Sequence, residues 1–180
     1  MLTLLETLFD IIRLRKGPDA IPYSWLVCLI TLTMWLVSGL IVTLLVEEIS
    51  NVDYLVATFT GVAGLACYAS IVVFANHTPR LLQTLTAILG CSAVINFLYV
   101  AGTVFLTPFL SKMITNLVVT LLSLWSIPVE GHIIARAIDR HWYVGIVAAI
   151  AVFLFQLYVY SLLAPPAPET ATTTAQLSSQ

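Results

Sequence analysis

The chain has 180 residues, of which 60% are hydrophobic and 9% are charged, and its formal net charge is −2. Soluble domains carry roughly 25% charged residues, so this composition excludes an ordinary soluble domain, which would lack polar surface, and favours a membrane protein. Its few basic residues are dispersed along the sequence, which excludes nucleic acid as a partner.

The first stretch, residues 2–16, is amphipathic. Its apolar residues recur at helical spacing: Leu2, Leu5, Leu8, Phe9 and Ile12. Basic residues and the pair Gly17-Pro18 end the pattern. We predict that residues 1–18 form a cytoplasmic helix in the membrane interface, with its leucines among the lipid headgroups. Packing of the same helix on the bundle is the alternative.

Long uncharged runs follow, and a helix needs about 20 apolar residues to cross a bilayer. From Leu81 to Val129 only Lys112 is charged. One helix over this run would be roughly 73 Å long, so the chain must fold back once, near Thr107 to Lys112. We therefore predict five membrane-spanning helices, at 21–46, 54–76, 81–106, 109–128 and 142–163.

These runs predict an all-α fold, a polytopic helix bundle over residues 19–164 with an interfacial helix before it. Residues 165–180 are rich in Thr, Ser and Ala and are predicted to be a disordered tail.

Basic residues set the predicted orientation. Of the seven Lys and Arg residues, six fall on one side of the five-span arrangement and only Lys112 falls on the other. Basic loop residues favour the cytoplasmic side. We predict an integral protein of the bacterial inner membrane, with its N-terminus in the cytoplasm and its C-terminal tail outside.

The predicted spans contain no ionisable residue at mid-depth. This argues against a proton-coupled transporter with its own carboxylate relay, and against an enzyme with an acid or base inside the bilayer. We expect no catalytic residue and no cofactor. The polar residues near mid-depth are Asn96 and Gln156, which we interpret as interhelical packing contacts.

Small residues recur four apart, a spacing that lets helices approach closely. The pairs are Ala57/Gly61, Ala63/Cys67, Ala87/Cys91 and Gly145/Ala149. We predict that they pack within the bundle, and a homo-oligomer interface is the alternative. The cysteines, including Cys28, are interpreted as packing residues. Glu130, His132 and His141, even with His77, lack the spacing of metal ligands, so no metal site is predicted.

The segment from Glu130 to His141 is predicted to be the longest polar connector. His132, Arg136 and Arg140 recur every four residues, so a helix here would present one basic stripe to anionic headgroups. Ordinary anchoring by loop arginines is the alternative. The candidate contacts for a lipid or a partner protein are Arg13, Arg15, Lys16, His132, Arg136 and Arg140.

Three segments resemble the Yip family of five-span membrane proteins, in its short bacterial branch of unassigned function. They are Ile11 to Pro18, Arg80 to Gly90 and Trp125 to Arg136. The resemblance covers most of residues 8–164 and implies the same five-span fold. Eukaryotic members are associated with vesicle trafficking and small GTPases. Their long cytosolic N-terminal region has no counterpart in this sequence, so GTPase binding is not implied.

These observations lead to three hypotheses of function. The first is a non-enzymatic membrane protein that organises or assembles lipids or partner membrane proteins at its cytoplasmic edge. The alternative is a small-solute channel or transporter, in an oligomer, with Asn96 and Gln156 lining its pore. A water-accessible cavity that reaches both residues would favour this alternative. An enzyme built on Glu130, His132 and His141 comes third, because no catalytic pattern supports it.

Overall fold

The computed structural model describes residues 2–45 and 51–163, which form seven α-helices and two short 3₁₀ turns. The helices are α1 (Leu2–Ile12), α2 (Trp25–Leu45), α3 (Asn51–Phe74), α4 (Leu81–Leu106), α5 (Lys112–Leu124), α6 (Ser126–Ala137) and α7 (Trp142–Leu163). The 3₁₀ turns are Pro18–Ala20 and Thr78–Arg80. The predicted all-α fold, with five long apolar helical segments and a short N-terminal helix, is confirmed. The predicted tail at 165–180 lies outside the described residues.

Five helical segments of the described chain are long and apolar enough to cross a membrane. They are Trp25–Leu45, Tyr54–Phe74, Thr78–Leu106, Met113–Ala137 and Trp142–Leu163. The first and the last of these segments, α2 and α7, contain 21 and 22 residues. At 1.5 Å per residue they are about 32 Å long, close to the ~30 Å hydrocarbon core. The first crossing helix begins at Trp25, later than predicted, because the preceding segment contains Pro22 and is not helical.

Helix α4 is the centre of the bundle, because it packs against α1, α2, α3, α5 and α6. Its residues supply much of the hydrophobic core, including Ala87, Ile88, Cys91, Val94 and Ile95. The other crossing helices keep wide apolar surfaces exposed, which suits contact with lipid tails.

The fourth crossing segment is built from two helices, α5 and α6, which meet at Trp125. The interruption follows from Pro128, which has no N–H to donate to the carbonyl of Leu124. The helix then resumes and continues to Ala137. This corrects the predicted end at residue 128 and the predicted connector from residue 130. The charged residues Glu130 and Arg136 lower the hydropathy of this segment, although Val129, Ile133, Ile134 and Ala137 are buried in the bundle.

Helix α1 packs into the bundle. Leu8 and Ile11 are fully buried, whereas Leu5 and Phe9 are 38% and 42% exposed. The Cys91 thiol lies 3.9 Å from the Leu8 carbonyl. The Trp125 indole donates to the carbonyl of Ile12 over 3.2 Å and so satisfies a free helix-end acceptor. One side of α1 therefore packs on the bundle, which was the alternative prediction. Leu5 and Phe9 lie on its exposed side.

Helices α6 and α7 approach most closely at two glycines. A Cβ added at Gly145 would overlap the carbonyl oxygen of Gly131 and would lie 2.7 Å from the Cβ of Ala135. Gly145 and Ala149, a pair singled out by its spacing, are both buried here. The matching pair on the facing helix is Gly131 and Ala135. Small residues on both helices thus permit contact of the two backbones.

Candidate functional site

All five candidate spans contribute to one small polar cavity, here called the chamber. Its volume is about 50 Å³, enough for one or two water molecules. The lining residues are Trp35 of α2, Gly61, Leu65 and Tyr68 of α3, Ile88, Leu89 and Ser92 of α4, Glu130 of α6 and Gln156 of α7. The chamber therefore forms only when the whole bundle is assembled.

A carboxyl group and a phenol meet in the chamber. The Tyr68 hydroxyl donates to Oε2 of Glu130 over 2.7 Å. Tyr68 is only 2% exposed. Glu130 lies seven residues before the helix end at Ala137, roughly 10 Å inside the span at 1.5 Å per residue. This corrects the placement of Glu130 in a connector, because Glu130 belongs to the fourth candidate span.

A larger cavity, here called the vestibule, lies beside the chamber and has a volume of about 290 Å³. It is lined by Trp35, Leu36, Gly39, Val42, Thr43, Tyr54, Ala57, Thr58 and Asn96. The Tyr54 hydroxyl donates to the Leu36 carbonyl over 3.1 Å. Trp35 lines both cavities, so its side chain lies where the vestibule and the chamber adjoin.

The two polar residues singled out in the spans are divided between these cavities. Asn96 lines the vestibule and donates to the hydroxyl of Ser38 on α2 over 3.2 Å. Gln156 lines the chamber, and its amide packs where a Cβ at position 64 would lie. Gly64 thus makes room for the Gln156 side chain. Asn96 thus bonds from α4 to α2, and each of the two residues lines a cavity.

Glycine also allows the indole between the cavities to pack on α3. A Cβ added at Gly61 would lie 2.6 Å from Cζ2 of Trp35, so only glycine leaves room for the ring. The sequence pattern does not single out Trp35 or Tyr68. The one available signal is a polar aromatic residue, Tyr68, in the interior of an apolar run.

The basic residues gather at one end of the bundle, here called the basic end. Arg13, Arg15, Arg136 and Arg140 are exposed there, and no ion pair involves them within the described ranges. The Lys16 ammonium pairs with Asp10 at 2.8 Å. Its hydrogen bond is the main cause that lowers the pKa of Asp10. Lys16 is therefore already partly neutralised.

His132 does not share a surface stripe with Arg136 and Arg140. It is only 8% exposed, and its Nε2 lies 3.1 Å from the carbonyl of Lys16, where the ring N–H donates. Helix α6 ends at Ala137, so Arg140 lies beyond it. His132 thus joins the segment after α1 to α6, and of the three residues of the predicted stripe only Arg136 and Arg140 are exposed.

Arg80 joins the start of α4 to the end of α6. Its guanidinium donates to the Arg136 carbonyl over 3.2 Å and pairs with Asp139 at 2.8 Å. His77 lies 3.5 Å from the same carboxylate. The hydrogen bond from Arg80 is the main cause that lowers the pKa of Asp139. Arg80 therefore caps a helix end and is not a free cation.

The residues of the enzyme hypothesis do not come together. Glu130 binds Tyr68, His132 binds the Lys16 carbonyl, and the His141 ring stacks on Tyr143 with centroids 4.9 Å apart. Within residues 2–45 and 51–163, no group of three His, Cys, Asp or Glu side chains is placed to hold a metal ion.

Comparison of the chain with protein-family models, with curated proteins and with solved structures finds no match. The five candidate spans identify the chain as a polytopic membrane protein. No family match supports the resemblance of its three segments to the Yip family.

Proposed function

We propose that this polytopic membrane protein is a small-solute channel or transporter, with a path through the vestibule and the chamber. The supporting observation is that all five candidate spans line the chamber, while the vestibule adjoins it at Trp35. A buried polar cavity costs packing and desolvation, so a bundle built only for stability has little reason to assemble one at its centre. Passage of a solute is a function that would explain why the bundle contains a polar cavity despite its cost in packing and desolvation.

The same cavities support a function without covalent chemistry. Pockets that hold an organic substrate usually measure about 300–1,000 Å³. The chamber, with about 50 Å³, has room only for a small ion or one or two water molecules. Glu130 also has no nucleophilic residue as its bonded partner, since its hydrogen bond comes from the Tyr68 phenol. We therefore propose a non-enzymatic role.

The path is tested by the reaction of introduced cysteines with membrane-impermeant thiol reagents. In a variant whose three native cysteines are alanine, Asn96→Cys and Gln156→Cys are each placed in vesicles of both orientations. We expect both to react, because Asn96 lines the vestibule and Gln156 lines the chamber. The measurement is the extent of labelling against time.

The matched control is Ala93→Cys, which lies on the same helix as Asn96 and is fully buried. It should stay unlabelled under the same conditions. Resistance of both test positions from both sides, in variants that melt like the parent, would rule out the proposed path.

A second candidate function is organisation of lipids or partner membrane proteins at the basic end. It is favoured by four exposed arginines without an ion pair in the described part of the chain: Arg13, Arg15, Arg136 and Arg140. We propose that this end faces the cytoplasm of a bacterial inner membrane, where anionic headgroups attract arginine. We also propose a second copy of the chain as a partner, and we propose that the chain belongs to the Yip family.

Lipid retention tests this second function. Each Arg near an anionic surface is worth about 1 kcal/mol, or roughly fivefold in binding. Replacing the four arginines by glutamine should therefore strongly reduce the anionic phospholipid that co-purifies per chain, measured by lipid extraction and mass spectrometry. Lys16→Gln is the control, because its ammonium is already paired with Asp10. Equal lipid content in the wild type and the fourfold variant would contradict this function.

A further inference from the structure

Glu130 is a carboxyl group inside a membrane span without a basic partner among the described residues. The described ion pairs join Lys16 to Asp10 and connect His77 and Arg80 to Asp139, all near the basic end. An ionised carboxylate in a medium of low dielectric is strongly unfavourable unless a cation compensates it. A proton or another small cation in the chamber would compensate the charge of Glu130, which is partly buried and bonded to Tyr68.

The chamber supplies the surroundings that such a cation needs. Besides Glu130, the chamber is lined by Tyr68, Ser92 and Gln156, and the side chain of each carries an oxygen acceptor. Hard cations prefer oxygen ligands and retain water where the protein offers too few. With about 50 Å³, the chamber holds a small ion with one water and excludes a large organic cation.

The side chains described around Glu130 do not supply a positive charge that would balance its carboxylate. Tyr68 faces it from α3 with a 2.7 Å hydrogen bond, and the Cys91 thiol of α4 lies 3.9 Å from the Leu8 carbonyl. His132, two residues along α6, is turned away and bound to the Lys16 carbonyl. Neither neighbouring phenol nor thiol carries a positive charge in any protonation state, so neither balances a carboxylate.

We propose that the Glu130 carboxyl, held by Tyr68 in the chamber, is the binding site of a small monovalent cation, either a proton or an alkali-metal ion. The inference rests on the proposed function for its physiological role, because a cation bound here would be the transported species or the ion coupled to it. Binding itself requires only the chamber. The vestibule beside Trp35 provides the adjacent space through which the ion would arrive.

Infrared difference spectroscopy on the purified full-length chain in detergent tests the site. Spectra are recorded at acidic and alkaline pH, first in choline chloride and then in sodium chloride of equal concentration. We expect the wild type to show a protonated-carboxyl band at the high frequency typical of a carboxyl in apolar surroundings. Glu130→Gln should remove this band and leave the lower-frequency bands of the exposed carboxyls in place. Glu6→Gln is the matched control, since Glu6 is an exposed carboxyl of α1 that absorbs at lower frequency, and its loss should leave the high-frequency band unchanged.

The two salts distinguish the two cations. A band that weakens in sodium chloride at constant pH identifies an alkali ion that competes for the site, whereas a band insensitive to sodium identifies the proton as the ligand. Identical difference spectra for the wild type and Glu130→Gln would overturn the proposal. Glutamine retains an acceptor for Tyr68, and a matching thermal melt establishes that the variant is folded.

This outcome is separable from that of the thiol experiment. Loss of the Glu130 band together with unreactive cysteines at positions 96 and 156 would retain the cation site and reject the solute path. Reactive cysteines together with an unchanged band would do the reverse.

Discussion

Replacing Gly145 by alanine is expected to destabilise the folded bundle strongly, because the added methyl group has no room between α6 and α7. The added Cβ would overlap the carbonyl oxygen of Gly131 and crowd the backbone nitrogen of Ala135 at 2.9 Å. Backbone atoms cannot rotate away as the end of a side chain can, so α6 and α7 must separate. Overpacking of this kind costs about 1–3 kcal/mol, and separation also removes the close contacts that hold membrane helices together.

Gly39→Ala is the matched control, because Gly39 also lies inside a crossing helix and an added Cβ would meet only Tyr54 Cε2, at an ordinary 3.7 Å. Both substitutions gain up to about 1 kcal/mol of helix propensity. Because this gain is common to both variants, the free energy of unfolding of Gly145→Ala in detergent should be lower than that of Gly39→Ala by about 1–3 kcal/mol. Equal stability of the two variants would show that α6 and α7 tolerate a wider spacing.

The crossing helices were predictable where hydropathy changes sharply at their ends. The expected third and fifth spans, 81–106 and 142–163, correspond to α4 and α7. The fourth span was not predictable to the same degree, because Glu130 and His132 lower the hydropathy of a helix whose polar groups are satisfied inside the protein. Hydropathy measures the average character of a segment, and it does not register a partner that lies elsewhere in the sequence.

The same limit explains which parts of the candidate site the sequence reveals. Asn96 and Gln156 stand out because they are polar residues in apolar runs. Glu130 cannot be recognised as part of the site from its own segment, because its hydrogen-bond partner, Tyr68, lies 62 residues away in the chain. The chamber also depends on Trp35 and Gly61, a contact between two helices that no local pattern encodes. The tertiary contacts therefore favour a function at the chamber over a function at the basic end.

Helix α1 gives the second large expected effect, since periodicity predicts the helix but does not decide which leucines it buries. Leu8 is fully buried, and its side chain fills the space left by Gly90, where an added Cβ would lie 2.7 Å from Leu8 Cδ2. Leu8→Ala should therefore lower the free energy of unfolding by about 2–5 kcal/mol, the usual cost of a cavity in a packed core. Chemical denaturation of the detergent-solubilised protein measures this change.

Leu5→Ala is the control that separates the two interpretations of α1. Leu5 is the same residue type on the same helix and is 38% exposed, so its truncation should cost less than about 1 kcal/mol. A helix that only rests in the membrane interface would lose the same apolar contact with lipid in both variants, and their stabilities would then be equal. A large difference between Leu8→Ala and Leu5→Ala would instead make α1 part of the bundle's core, together with α4 and the Trp125 bond to its last turn.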